Sequence, residues 1–251
     1  MKKLLIILPV LLLMLFLLIS FINKNNFIKI KEKNMQGFAV VELFTSEGCS
    51  SCPPADEALA KVSKEFKNNV FVLGFHVDYW NQLGWKDIYS NADFTNRQKQ
   101  YASTFNLTSI YTPQIVVNGK TEFVGSDENK LRKTISQELN IANTSAISID
   151  VKNNDNKFIN VDYKVNNANN DFINFALVQL HAISDVKKGE NEGKKLQHVN
   201  VVRVFKMATN NAGNINLLIP AGMVAKDFKV IAFVQNKNDL KITSAAEKLL
   251  Q

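Results

Sequence analysis

Residues 38–56 read Phe-Ala-Val-Val-Glu42-Leu-Phe-Thr-Ser-Glu-Gly-Cys49-Ser-Ser-Cys52-Pro-Pro-Ala-Asp. A run of strand-forming residues ends in Thr-Ser-Glu-Gly, meets a Cys-x-x-Cys, and passes at once into a helical pattern. This order delivers two cysteines from a buried strand to a helix N-terminus. There the unpaired backbone N–H groups and the positive end of the helix dipole favour a thiolate over a thiol. The stretch is a redox candidate on these grounds alone.

Downstream, Pro53–Phe66 reads as a helix with Ala55, Leu59, Val62 and Phe66 on one face. Pro53 and Pro54 mark its first turn, where a missing N–H has no intrahelical partner to lose. Val70–Val77 is a second apolar strand carrying His76, followed by an aromatic-rich loop with Trp80 and Trp85. Asp93–Phe105 reads as a helix. Thr112-Pro113 then precedes two short strands around Asn118-Gly119, a hairpin signal. Ser126 or Asp127 caps a last helix that runs to about Asn140. The first two strands are expected to be parallel, with Pro53–Phe66 as the crossover.

From Ala142 the texture changes to short apolar strands separated by Asn, Asp and Lys turns. Strands are expected near 146–151, 158–165, 172–183, 199–205, 215–219 and 229–235. About 105 residues of this pattern suggest a small β-sandwich or an antiparallel sheet domain.

Upstream, Met1-Lys-Lys precedes an uncharged stretch from Leu4 to Ile22. At about 1.5 Å per residue it approaches the ~30 Å hydrocarbon thickness, longer than a signal-peptide core of about 7–15 residues. No small-x-small cleavage site follows and no cysteine offers a lipid anchor, so an uncleaved anchor is favoured over a cleaved signal. The lysines on both sides compete under the positive-inside rule. A redox pair behind an anchor makes most sense where disulfides persist, and the domain is placed outside the cytoplasm.

The formal charge of +7 comes mainly from scattered lysines, with no basic run interleaved with aromatics. Nucleic-acid binding is therefore not expected. Cys49 and Cys52 are the only cysteines, and a bridge closing so short a loop removes little unfolded-state entropy. Exchange chemistry casts Cys49 as the exposed attacker and Cys52 as the resolver. Two alternatives stand beside this: a permanently oxidised bridge, or a zinc or copper site shared with His76 and a carboxylate.

The element order, the Cys-x-x-Cys at the first strand–helix junction and Thr112-Pro113 before the hairpin resemble the thioredoxin fold. The resemblance implies a cis Pro113 beside the cysteines and Thr112 as a substrate-contacting residue. It also implies Glu42 as a buried proton carrier for the resolving cysteine, although the spacing differs from thioredoxins by one residue. His76 and Asp78 are the alternatives. Trp80, Trp85 and Tyr111 would form an apolar docking rim or pack in the core. The segments 41–56, 75–87, 111–119 and 189–203 more closely resemble the bacterial thioredoxin-like family catalogued as domain of unknown function 1223. That family implies a thioredoxin-like domain with a C-terminal extension, usually exported, with no assigned substrate. Its loop Gly189–His198 carries a family motif of unknown role and would be either a long sandwich loop or a cover for the cysteines.

The sequence therefore predicts an α/β chain: a membrane anchor or signal segment at 1–23, a tether at 24–37, a thioredoxin-like domain at 38–141 and a β-rich domain at 145–251. The expected function is an extracytoplasmic thiol–disulfide oxidoreductase acting on protein or small-molecule thiols, membrane-bound through residues 4–22. It needs no cofactor beyond the Cys49–Cys52 disulfide. The alternative is a binding protein or copper chaperone that uses the same cysteines as ligands.

Overall fold

The computed structural model describes residues 37–66, 69–143, 145–153, 157–166 and 171–251. The expected anchor (4–22) and all of the tether but Gly37 lie outside the described residues. Strand β1 (Ala39–Thr45) is buried along its whole length, and helix α1 (Pro53–Glu65) follows directly after the cysteines. Next come β2 (Val70–His76), a 3-10 turn at Asn81–Leu83, and α2 (Ala92–Thr104). The hairpin β3 (Gln114–Val117) and β4 (Thr121–Val124) turns at Asn118-Gly119, both with positive φ. A Cβ on Gly119 would lie 1.9 Å from the Leu240 carbonyl oxygen, so no side chain fits there. Helix α3 (Glu128–Glu138) is capped by Asp127, whose carboxylate accepts the Lys130 N–H.

The remaining strands are β5 (Ala146–Asn153), β6 (Phe158–Asn166), β7 (Phe172–Asp185), β8 (Lys195–Ala208), β9 (Ala212–Leu218), β10 (Phe228–Gln235) and β11 (Ile242–Leu249). They do not form a sandwich of their own. One sheet runs β11-β10-β7-β8-β2-β1-β3-β4, crossing the change of texture near residue 142. Only β8–β2 and β2–β1 run parallel; the other neighbours are antiparallel. The expected sandwich is realised in part, because β5-β6-β9 form a second sheet. Ile159, Val161 and Tyr163 of that sheet pack on Phe175, Leu177 and Val230 of the large one. The fold is mixed α/β with few helices and a large, mostly antiparallel sheet.

Strand alternation sets the two faces of β1. Ala39, Val41 and Leu43 pack with Ala55, Leu59 and Val62 of α1 and Leu131 and Ile135 of α3. Val40 and Phe44 pack with Phe94 and Tyr101 of α2 on the other side. Glu42 belongs to the second set. Its carboxylate accepts from Arg97 Nε (2.5 Å), Arg97 Nη2 (2.9 Å) and the Tyr101 hydroxyl (2.5 Å). The Arg97 guanidinium lies 4.9–5.6 Å from the ring centroids of Phe75, Tyr101, Phe205 and Phe233. The proton-carrier role expected of Glu42 is thus corrected. A one-residue offset along a strand reverses the face, and Glu42 points away from α1 into a buried ion pair.

Removing one partner of such a pair strands a buried charge, which costs about 3–5 kcal/mol. Glu42→Gln is expected to lower the unfolding free energy by about that amount in urea titration.

Candidate functional site: a covered disulfide beside a buried charge cluster

Cys49 and Cys52 form a disulfide where β1 gives way to α1. Cys49 N–H donates to the Ser46 carbonyl and Cys52 N–H to that of Cys49, so the turn winds directly into the helix. Ser51 Oγ lies 3.4 Å from Cys49 Sγ, and its hydroxyl is the available donor to that sulfur. The Thr112–Pro113 peptide is cis. A Cβ on Gly125 would meet Leu43, Ala55 and Pro113 together at 3.0–3.1 Å. Pro113 therefore lies across Gly125 from Ala55 of the first turn of α1.

Both cysteines are fully buried, although Ser50 and Ser51 between them are exposed. Cys49 is not the open attacker that its place at a helix start suggests. The β7–β8 loop covers it. Asn191, itself fully buried, donates through Nδ2 to the carbonyls of Glu47 (2.9 Å) and Cys49 (2.8 Å). Lys194 Nζ donates to Asn191 Oδ1 at 2.9 Å, which fixes the orientation of the amide. Glu190 Oε2 accepts the Ser50 N–H at 3.0 Å, and hydrogen bonds from Ser50 hold the Glu190 carboxyl below its usual range. The loop closes at its base, where Val186 N–H donates to Lys194 O and Gly193 N–H to Val186 O.

Beneath the bridge lies a group of buried ionisable side chains. Thr45 and His76 are register partners at the C-terminal ends of parallel β1 and β2. Thr45 Oγ1 donates to Asp56 Oδ2 (3.2 Å), and His76 Nδ1 is 2.6 Å from Asp87 Oδ2. Burial pushes the Asp87 carboxyl up, but His76 and the N–H groups of Glu47 and Tyr89 outweigh it and hold it below its ordinary value. His198, from β8, stands between two carboxylates. Its Nδ1 is 3.5 Å from Asp56 Oδ1 and its Nε2 is 3.7 Å from Glu47 Oε1. These are ion pairs longer than good hydrogen bonds, and neither His198 nitrogen has a hydrogen-bond partner. Burial disfavours a charged imidazole, but Asp56 and Glu47 outweigh it and push His198 up to about 10.

The structure gathers Cys49, Cys52, Thr112, Pro113, Trp80 and Trp85 at one end of the sheet. Trp80 Nε1 donates to Thr112 Oγ1 (2.8 Å), and the Trp80 Cβ stands 3.1 Å from where a Cβ of Gly48 would be. Trp85 Nε1 donates to Glu47 Oε2 (2.7 Å), so this half-buried ring serves the buried carboxylate instead of an open rim. Tyr111 turns its hydroxyl to Glu122 on β4 (2.5 Å). Asp78 accepts from Thr95 of α2. Sequence reasoning gave no role to Asp56, Asp87, Glu190, Asn191 or His198. For Asp56 a signal was present: four residues after Cys52 is the same helix face, one turn on.

A family model described as "Protein of unknown function (DUF1223)" matches residues 40–235, and the chain belongs to that family. Among solved structures, the crystal structure of an Agrobacterium tumefaciens protein is similar at 30% identity and a TM-score of 0.61, covering 84% of this chain and 93% of that one. A thioredoxin from Fasciola hepatica aligns at 22% identity and a TM-score of 0.26, covering 46% of this chain and 93% of that one. No curated protein matches the chain.

A histidine raised on folding stabilises the protein fully below its unfolded value near 6.5 and loses that contribution as pH rises through the folded value. Urea unfolding of the wild type is therefore expected to show stability declining between about 6.5 and about 10. His198→Gln is expected to flatten that decline.

Proposed function

We propose that this protein is a thioredoxin-like thiol–disulfide oxidoreductase, tethered to a membrane through residues 4–22 with its folded part outside the cytoplasm. The observation that carries the reading is the Cys49–Cys52 disulfide at the N-terminus of α1 with cis Pro113 across Gly125 from the same turn. The strand order β2-β1-β3-β4, with a parallel β1–β2 pair and an antiparallel hairpin, supports the thioredoxin-like reading. In the first step a client thiolate attacks Cys49 Sγ, the Cys49–Cys52 bond breaks, and Cys52 leaves with the electron pair. In the reverse sense Cys52 attacks the mixed disulfide at Cys49 and releases the client thiol.

Attack requires the β7–β8 loop to lift, because Cys49 is fully buried beneath it. Thr112 and Trp80 flank the uncovered site, where a client backbone or small thiol would dock.

Cys49→Ser is expected to abolish insulin reduction or disulfide isomerisation, while Cys52→Ser accumulates a mixed disulfide. A wild type inert toward every thiol donor, with normal growth of Cys49→Ser cells, would sink the reading. Asn191→Ala removes two hydrogen bonds that close the loop, together worth about 1–3 kcal/mol. Reduction of the bridge by dithiothreitol, followed by thiol labelling, is expected to accelerate roughly tenfold or more in that variant.

A further inference from the structure

His198 is almost fully buried, yet neither of its ring nitrogens makes a hydrogen bond. Its Nδ1 stands 3.5 Å from Asp56 Oδ1 and its Nε2 3.7 Å from Glu47 Oε1, an oxygen that is likewise buried and unpartnered. An imidazolium alone between two carboxylates would draw them in to about 2.7–2.9 Å, the usual length of a charge-assisted hydrogen bond. Buried polar atoms are rarely left this way, and the arrangement calls for a further ligand.

The gap on the Nδ1 side has the dimensions of a metal site. One ion about 2.0–2.2 Å from each of two donors 3.5 Å apart sees them at an angle of about 110–120°, close to tetrahedral. The neighbouring groups stand where the outer-shell partners of a metal centre belong. Thr45 donates to Asp56 Oδ2 and so leaves Oδ1 for the ion. With an ion on Nδ1 the ring proton sits on Nε2, toward Glu47 Oε1, and Trp85 holds the other oxygen of that carboxylate. A cleft of about 330 Å³, whose walls include Asp56, Glu57, Lys195 and His198, gives access from solvent. Among the described residues no group of three His, Cys, Asp or Glu side chains converges on one point. The coordination positions beyond the first two donors therefore face the cleft, where water fills them.

We propose that Asp56 Oδ1 and His198 Nδ1 bind a divalent transition-metal ion of the zinc type, held open to the cleft. A histidine nitrogen beside a single carboxylate oxygen selects such an ion over magnesium or calcium, which take oxygen donors. The ion replaces the proton on Nδ1, which passes to solvent. The carboxylates of Glu47, Asp56 and exposed Glu57 outnumber exposed Lys195, a balance that favours a cation. Neither sulfur takes part, so the site goes beyond the exchange reading and is present in the oxidised protein. Its consequence is mechanical: the ion ties β8, shortly after Lys194 of the covering loop, to α1 shortly after the cysteines.

The test is equilibrium dialysis of the full-length, oxidised protein against zinc chloride, with bound metal counted by atomic absorption and magnesium chloride as the control. One zinc ion per chain is expected, and no magnesium. His198→Gln and Asp56→Asn, the latter keeping an oxygen for Thr45, are each expected to weaken binding about tenfold or more, and Glu47→Gln about tenfold through the outer shell. His181→Gln, which removes an exposed histidine, is expected to leave the affinity unchanged. Cobalt loading of the wild type carries the test if the variants do not fold: visible bands of tetrahedral cobalt are expected, without a sulfur-to-cobalt charge-transfer band. Zinc uptake that survives His198→Gln overturns the proposal, as does loss of uptake in His181→Gln or no uptake at millimolar zinc. A sulfur-to-cobalt band overturns it too, because it gives the ion to the cysteines.

Discussion

Within residues 38–141 the outer edge of β2 has no strand beside it, and a row of unpaired backbone groups beside a buried core is costly. Strand β8 fills that edge in parallel, meeting β2 at Gly74 and Val201. Asn200 takes a left-handed conformation and donates to Ser63 of α1, which fastens β8 to the helix that follows the cysteines. Because β8 lies there, His198 enters the charge cluster and the β7–β8 loop reaches the disulfide. The C-terminal half thus completes the site.

Much of the first half was legible because it is local. The Cys-x-x-Cys with two prolines behind it, the Asn118-Gly119 turn and the Asp127 cap each act through near neighbours in sequence, and each appears in the structure. The C-terminal strands were readable as strands, but their partners were not. Alternation shows that a strand has two faces and is silent on which edge it will join. Strand β11 escaped notice altogether: Ile-Thr-Ser-Ala-Ala-Glu-Lys-Leu favours a helix on propensity, and pairing with β10 overrides that preference. His198 and Asn191 carried only a family motif, because their meaning depends on a contact some 140 residues away in the chain.

Glu42 and Asp56 make a useful contrast, as both are acids near the cysteines in sequence and both are buried. Glu42 faces α2, where Arg97 satisfies it twice and four aromatic rings surround the cation, an arrangement fixed in place and closed to solvent. Asp56 faces the cysteine side, has one oxygen engaged by a hydroxyl, and borders a cleft. The first stabilises the fold by being fully satisfied; the second leaves an oxygen 3.5 Å from the His198 ring.

The acceptors that hold Asn191 over the bridge are backbone carbonyls of Glu47 and Cys49. A carbonyl neither titrates nor changes when the neighbouring sulfurs are joined or parted. The clasp therefore rests on acceptors that no pH change can protonate, unlike the carboxylates packed nearby. What closes the bridge off is thus neutral backbone held by one side-chain amide, and not a charge.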